Sequence, residues 1–219
     1  MRVLALALFV SALSPGATAQ VSFGARAGLA VADVETFTGT LARDDQSPRL
    51  GLAASVFATL PLGAGLAFQP EIGYVPRGLN SVFLPAANDP MAQGSREYTR
   101  LEHVDLSLLA RTSALFMRRV ETSLVVGPSV ALELSERTRT EFDDGTQETD
   151  ETSDRFKNSD LGFVFGAEAR SGPLVVDVRY TLGLTNVYIG ETVTPTNEVL
   201  RQDLKHGVFA ATLGVRLGR

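Results

Sequence analysis

The 219-residue chain has no cysteine and no tryptophan, and it carries only two histidines and two lysines, Lys157 and Lys205. Without cysteine there is no disulfide framework, no thiolate-ligated zinc or iron–sulfur site, no thiol nucleophile and no lipidated N-terminal cysteine. Beyond the N-terminus, no stretch approaches the about 20 consecutive apolar residues of a membrane helix. Positive charge is not in excess either. The 20 Lys and Arg against 25 Asp and Glu give a net charge of −5, and the linear sequence shows no basic stripe, which excludes an electrostatic nucleic-acid binder. What the chain does have is 44% hydrophobic residues and 20 glycines. That is enough apolar surface for a large core, so the chain is not a disordered tail.

Residues 1–19 read as an export signal. Arg2 is the only charge before an apolar run from Val3 through Leu13, which breaks at Ser14-Pro15-Gly16 and ends in Ala17-Thr18-Ala19, a small-x-small cleavage pattern. The expectation is a signal peptide over 1–19 and one domain over 20–219.

From Val21 onward the dominant signal has period two. Val21, Phe23, Ala25, Ala27, Leu29 and Val31 share one face, while Ser22, Gly24, Arg26 and Gly28 share the other. Eight segments follow this pattern, at residues 21–31, 50–60, 66–74, 104–110, 122–134, 161–169, 174–182 and 209–217. Tight links near Leu62, Phe116 and Gly172 alternate with long polar connections at Asp33 to Pro48, Pro76 to Glu97, Ser135 to Asn158 and Leu184 to Lys205. Short turns at one end and long loops at the other, with an even strand count, predict an all-β, eight-stranded antiparallel up-and-down transmembrane barrel with short periplasmic turns and long extracellular loops. Pro70 and Pro128 fall inside strands, where each removes a ladder donor, and are expected to mark bulges or local breaks in pairing.

A soluble lipocalin-like barrel shows the same alternation with its apolar face turned inward, so the composition of the polar face decides. That face is rich in small residues, among them Gly24, Gly28, Gly51, Gly73, Gly127, Gly162, Gly166 and Gly214. It also carries Arg26, Arg49, Arg111, Arg170, Arg179 and Arg216 against Glu71, Asp105, Glu121, Glu133, Glu168 and Asp177. A water-exposed face uses lysine freely, yet both lysines fall in the long connections. Arginine, carboxylate and glycine suit a narrow lumen, where the guanidinium fork pairs bidentately and glycine leaves it room. The twelve charged residues are therefore the candidate site, in a structural role: a buried ion network that fills the barrel and fixes strand register. The aliphatic face then meets lipid, with a thin aromatic girdle of Phe23, Phe68, Tyr74, Phe163, Tyr180 and Phe209. A periplasmic lipocalin-like barrel for a small apolar ligand is the alternative, and an outer-membrane hydrolase the third reading.

Several stretches resemble a known family. They are Phe23-Gly24-Ala25-Arg26-Ala27-Gly28-Leu29, Phe68-Gln69-Pro70-Glu71-Ile72-Gly73-Tyr74 followed by Arg77-Gly78, Val126-Gly127-Pro128, Phe163-Val164-Phe165-Gly166-Ala167, and residues 177–186 from Asp177 to Asn186. In this order they are similar to the small outer-membrane β-barrel domains known as porin family proteins, of the kind common in Gram-negative bacteria of the Bacteroidetes type. The resemblance implies an eight-stranded barrel similar to the OmpX type and implies little about function. For such a barrel the expected partners are outer-membrane lipid, lipopolysaccharide and the barrel assembly machinery, with a further surface partner through the loops. The expected state is a monomer.

Other candidate sites are weak. His103 and His206 are expected on opposite walls near the loop-side rim, facing the lumen, in rim hydrogen bonds rather than around a shared metal. Gly127-Pro128-Ser129-Val130-Ala131 lacks the closing glycine of a nucleophile elbow. Asp143-Asp144-Gly145 sits in an acidic connection without EF-hand spacing and reads as a solvated hairpin extension rather than a Ca²⁺ contact. No catalytic, cofactor or metal residue is expected. Eight strands enclose only enough space for side chains, so a general diffusion pore is not expected.

Overall fold

The computed structural model describes residues 20–38, 45–83, 95–117, 120–150, 158–186, 191–193, 199–201 and 203–218. The expected signal peptide lies outside the described residues. Eleven strands are present among them: β1 (Ser22–Thr38), β2 (Asp45–Gly63), β3 (Leu66–Phe83), β4 (Ser95–Met117), β5 (Val120–Phe142), β6 (Gln147–Asp150), β7 (Ser159–Ser171), β8 (Leu174–Gly183), β9 (Glu191–Val193), β10 (Val199–Arg201) and β11 (Asp203–Leu217).

Eight of these close into a ring. The hydrogen-bonded order runs β4-β3-β2-β1-β11-β8-β7-β5, and β5 pairs back onto β4. Every neighbour is antiparallel, and the ring is sealed where β1 zips onto β11 from Phe23–Leu217 upward. The remaining strands are accessories: β6 folds back on the far end of β5, and β9 pairs with β10. A closed ring leaves no sheet edge, the condition for a sheet to cross a bilayer.

The two ends of the ring differ. At one end lie Ser22, Leu217 and the tight turns; positive φ at Gly63, Ala64 and Gly65 turns β2 into β3, and Gly172 does the same between β7 and β8. At the other end the strands overrun the expected connections. β3 continues to Phe83, β4 begins at Ser95, β5 continues to Phe142 and β1 to Thr38. The long connections expected at Asp33 to Pro48, Pro76 to Glu97, Ser135 to Asn158 and Leu184 to Lys205 are thus partly strand. Apart from the buried Leu101 and from Phe142, residues 96–102 and 135–142 are polar on both faces, so hydropathy alternation fades while ladder pairing does not.

The apolar residues of the alternating segments point outward. Phe23, Leu52 and Leu213 are 64%, 72% and 60% exposed, and Leu29, Leu50, Leu106, Leu108, Leu124 and Leu134 are also on the outside. On β1 this belt runs from Phe23 to Val31, close to the about 9–11 residues a tilted transmembrane strand needs. Of the expected girdle, Phe23, Phe68, Phe163 and Phe209 are exposed, and the Phe165 and Tyr180 rings touch at 5.4 Å between centroids.

Pro70 and Pro128 break pairing without bulging the strand. The β2–β3 ladder skips from Phe57–Glu71 to Leu60–Phe68, and the β4–β5 ladder skips from Ser107–Ser129 to Ala110–Val126, in each case with register kept. Each proline turns its missing N–H toward one neighbour and pairs normally with the other, Pro70 with Leu108 and Pro128 with Phe163. A true irregularity occurs elsewhere: Leu134 is an extra residue on β5, between the Glu102–Ser135 and His103–Glu133 pairs.

Candidate functional site

The inward frame of each membrane strand brings most of the predicted charges together. On β1 this frame places Arg26 between Gly214 and Ser55 in the neighbouring strands. A Cβ on Gly214 would lie 2.5 Å from that of Arg26, so only glycine lets the arginine stem pass. Gly166 does the same for Arg179, where an added Cβ would lie 2.8 Å from its Cβ. The Arg26 guanidinium lies 4.7 Å over the Phe57 ring, a cation–π contact on a second inward residue.

From there the ion pairs form one continuous network. Arg26 donates to Glu71 and lies 3.3 Å from Asp177 and 3.7 Å from Glu168. Arg179 grips Asp177 with two nitrogens, at 2.8 and 3.0 Å, and reaches Glu71 with a third at 3.1 Å. Glu168 also meets Arg111 at 3.2 Å and Arg216 at 3.5 Å. Glu121 closes the turn-side end, 3.1 Å from Arg111, 3.8 Å from Arg216 and 3.9 Å from Arg170. Nine predicted residues are thus connected: Arg26, Glu71, Arg111, Glu121, Glu168, Arg170, Asp177, Arg179 and Arg216.

Three predicted members lie apart from it. Asp105 belongs to a second cluster nearer the strand-extension end, where Arg77 donates to Asp105 at 2.8 Å and to Asp160 at 2.9 Å. Glu133 is on the inward face opposite His103. Arg49 leaves the network altogether: it donates to the Arg77 carbonyl and comes within electrostatic reach of Tyr74, Arg100 and Glu102. The cause is local, since the β2–β3 ladder is interrupted between Pro48 and Ala54. Pro76 packs where a Cβ on Gly51 would sit, and Arg49 extends along that gap.

Sequence reasoning missed Arg77 and Asp160 because both fell in or beside expected loops. The signal was available. Arg77 continues the inward frame Glu71, Gly73, Val75, and Asp160 precedes Gly162, Val164, Gly166 in its own. With them, six arginines (Arg26, Arg77, Arg111, Arg170, Arg179, Arg216) meet six carboxylates (Glu71, Asp105, Glu121, Asp160, Glu168, Asp177). Asp160 also accepts a hydrogen bond from Thr185.

Charge does not fill the lumen alone. Leu109, Val125 and Val164 form one buried apolar cluster, and Ala30, Ala32, Ala53, Val208 and Ala210 another. The cavity bounded by Arg26, Ser55, Glu71, Asp105, Ser107, Arg179 and Thr212 has a volume of only about 40 Å³, room for one or two waters.

His103 and His206 both lie inside the barrel, facing one another across the lumen. Both are buried, their ring centroids are 6.3 Å apart, and neither Nδ1 has a hydrogen-bond partner. In so narrow a barrel, opposite walls are within touching distance. Asp144 Oδ1 accepts from the Thr146 amide at 2.8 Å and hydroxyl at 2.6 Å, which ties it into the β5–β6 turn.

A family model described as "Outer membrane protein beta-barrel domain" matches residues 14–188. Among solved structures, the chain is similar to Ail, the attachment invasion locus protein of Yersinia pestis, at 10% identity and a TM-score of 0.41, over 90% of this chain and 98% of that one. It is similar to Neisserial surface protein A at 15% identity and a TM-score of 0.38, over 88% and 96%. The translocator domain of the autotransporter NalP from Neisseria meningitidis is similar at 9% identity and a TM-score of 0.36, over 96% and 92%. No curated protein matches the chain.

Proposed function

The chain belongs to the outer membrane protein β-barrel domain family, and on that premise we propose that this outer-membrane barrel acts through its outer end, as a contact surface on a closed, non-conducting plug. Its apolar belt meets lipid, which removes the reading as a periplasmic lipocalin-like barrel.

The observation that supports the contact role is the overrun of β4 and β5. Their ladder continues from His103–Glu133 through Ser95–Phe142, and β6 widens it by pairing Thr138–Asp150 through Glu141–Gln147. A hydrogen-bonded ladder standing clear of the bilayer holds side chains in fixed positions, whereas a coil of equal length pays an ordering cost on every contact.

Deletion of residues 138–154 tests this reading. The shortened barrel is expected to fold, shown by a heat-dependent shift in gel migration, while cells displaying it lose retention on plates coated with matrix proteins or with other cells. Equal retention of native and shortened proteins on every surface contradicts the contact role and favours an envelope-stabilising one.

A further inference from the structure

The balance of arginine and carboxylate in the lumen hides an uneven distribution. The cluster nearer the strand extensions sets one arginine, Arg77, against Asp105 and Asp160. The connected network sets five arginines, Arg26, Arg111, Arg170, Arg179 and Arg216, against four carboxylates, Glu71, Glu121, Glu168 and Asp177. Its surplus cation collects at the turn-side end. There Arg111, Arg170 and Arg216 share Glu121, while Glu168 is divided among Arg26, Arg111 and Arg216.

Arg216 is the least well matched of these. Its side chain is only 6% exposed, yet the nearest carboxylate oxygens lie at 3.5 Å in Glu168 and 3.8 Å in Glu121, and its Nε has no hydrogen-bond partner. Charge-assisted bonds to carboxylate run about 2.7–2.9 Å, a length that Arg179 reaches on Asp177 at 2.8 Å. Arg170 is loose in the same way: it stands 3.9 Å from Glu121, and its Nε donates to the Gly172 carbonyl at 2.8 Å. A buried guanidinium short of counter-charge is costly, so a further anion at this end is stabilising.

Both arginines open on one hollow. It has a volume of about 510 Å³ and is lined by Gln20, Arg170, Pro173, Arg216, Leu217 and Gly218. Among the described residues no carboxylate lines it. Leu217 on its wall, with Phe23 paired to Leu217 and Leu174 close by, is exposed on the outer face, so the apolar belt reaches the turn-side rim. Gln20 and Arg170 stand where that belt ends. Short turns of such barrels are periplasmic, which sets the hollow level with the headgroups of the periplasmic leaflet and open to the water beyond. Phosphate is the anion of that layer, and guanidinium forks match its oxygens through parallel N–H···O bonds.

We infer that Arg170 and Arg216 form a phosphate-binding site at the turn-side mouth of the lumen, which takes the oxyanion of a phospholipid headgroup or of free phosphate. The bound anion supplies the counter-charge that Glu121 and Glu168 leave short. The site lies at the opposite end from the contact surface and stands without it.

The test uses the full folded chain in dodecyl maltoside micelles, which contain no phosphorus, and follows the arginine Nε–Hε NMR signals at constant ionic strength. The probes are inorganic phosphate, dihexanoyl phosphatidylglycerol, and dihexanoylglycerol, which lacks the phosphate. The Arg216 and Arg170 signals are expected to move saturably with a phosphate-bearing probe and to stay in place with dihexanoylglycerol. Movement with inorganic phosphate supports a site open to the free anion, and movement with phosphatidylglycerol alone supports one reserved for the headgroup. Arg170→Gln is expected to move the Arg216 titration to about tenfold higher probe concentration, the loss of one charge-assisted contact. Signals unmoved by both phosphate-bearing probes, or moved equally by dihexanoylglycerol, overturn the site on the native chain alone, even if the variant fails to fold. An unaltered titration in the folded variant overturns it as well.

Discussion

Arg179 on β8 donates to Glu71 on β3 across 3.1 Å, although 108 positions of sequence separate them. The bond spans the lumen between strands that are not neighbours in the ring. It therefore ties opposite walls together, which no ladder bond does. The same guanidinium also holds Asp177, a fully buried carboxylate two residues away on its own strand. Removing it strips a partner from two anions at once.

Arg179→Ala is expected to destabilise the barrel by up to about 3–5 kcal/mol, the cost of breaking a buried pair, because Glu71 and Asp177 are then left to share the Arg26 guanidinium. Urea unfolding in detergent micelles or vesicles measures this as a lowered midpoint. A change within about 0.5 kcal/mol, the range of an ordinary surface substitution, contradicts burial of the pair.

Gly166→Val is expected to be as disruptive without touching a charge. Its new side chain enters space already occupied by the Arg179 stem and the Val178 carbonyl, which an added Cβ would approach to 2.8 and 2.5 Å. Overpacking of this kind costs about 1–3 kcal/mol or more, and folding yield together with the unfolding midpoint reads it. Gly145→Ala, where an added Cβ has nothing within 4 Å, isolates the conformational cost of positive φ in the β5–β6 turn and is expected to have the smaller effect.

Leu213→Arg tests which solvent the outer face meets. Leu213 is exposed, pairs with Ala27 at mid-belt, and points away from the lumen. In lipid the substitution costs about 2–4 kcal/mol near the midplane; facing water it costs almost nothing. Refolding into vesicles should show the larger figure, with an unaltered stability counting against the lipid-facing belt.

Much of this architecture was legible in the sequence wherever the two faces of a strand meet different surroundings. Leu29 against Gly28, or Phe165 against Gly166, shows period two because one side faces lipid and the other a crowded lumen. The legible region stops where that contrast stops. Between Arg96 and Glu102 only Leu101 is apolar, so the strand there announces itself chiefly through pairing with β3 and β5. Arg77 fell inside an expected loop and Asp160 beside one, and the frame shift at Leu134 on β5 has no compositional mark. Arg49 shows the converse error. Its inward frame is correct by counting, yet an interruption of the β2–β3 ladder gives its side chain another route.

Planar-bilayer recording of the purified native barrel tests the closed lumen most directly. With six arginines interlocked with six carboxylates, and a central cavity of about 40 Å³, the bilayer should remain silent or show only rare small steps. A stable open channel of nanosiemens conductance would contradict the side-chain plug.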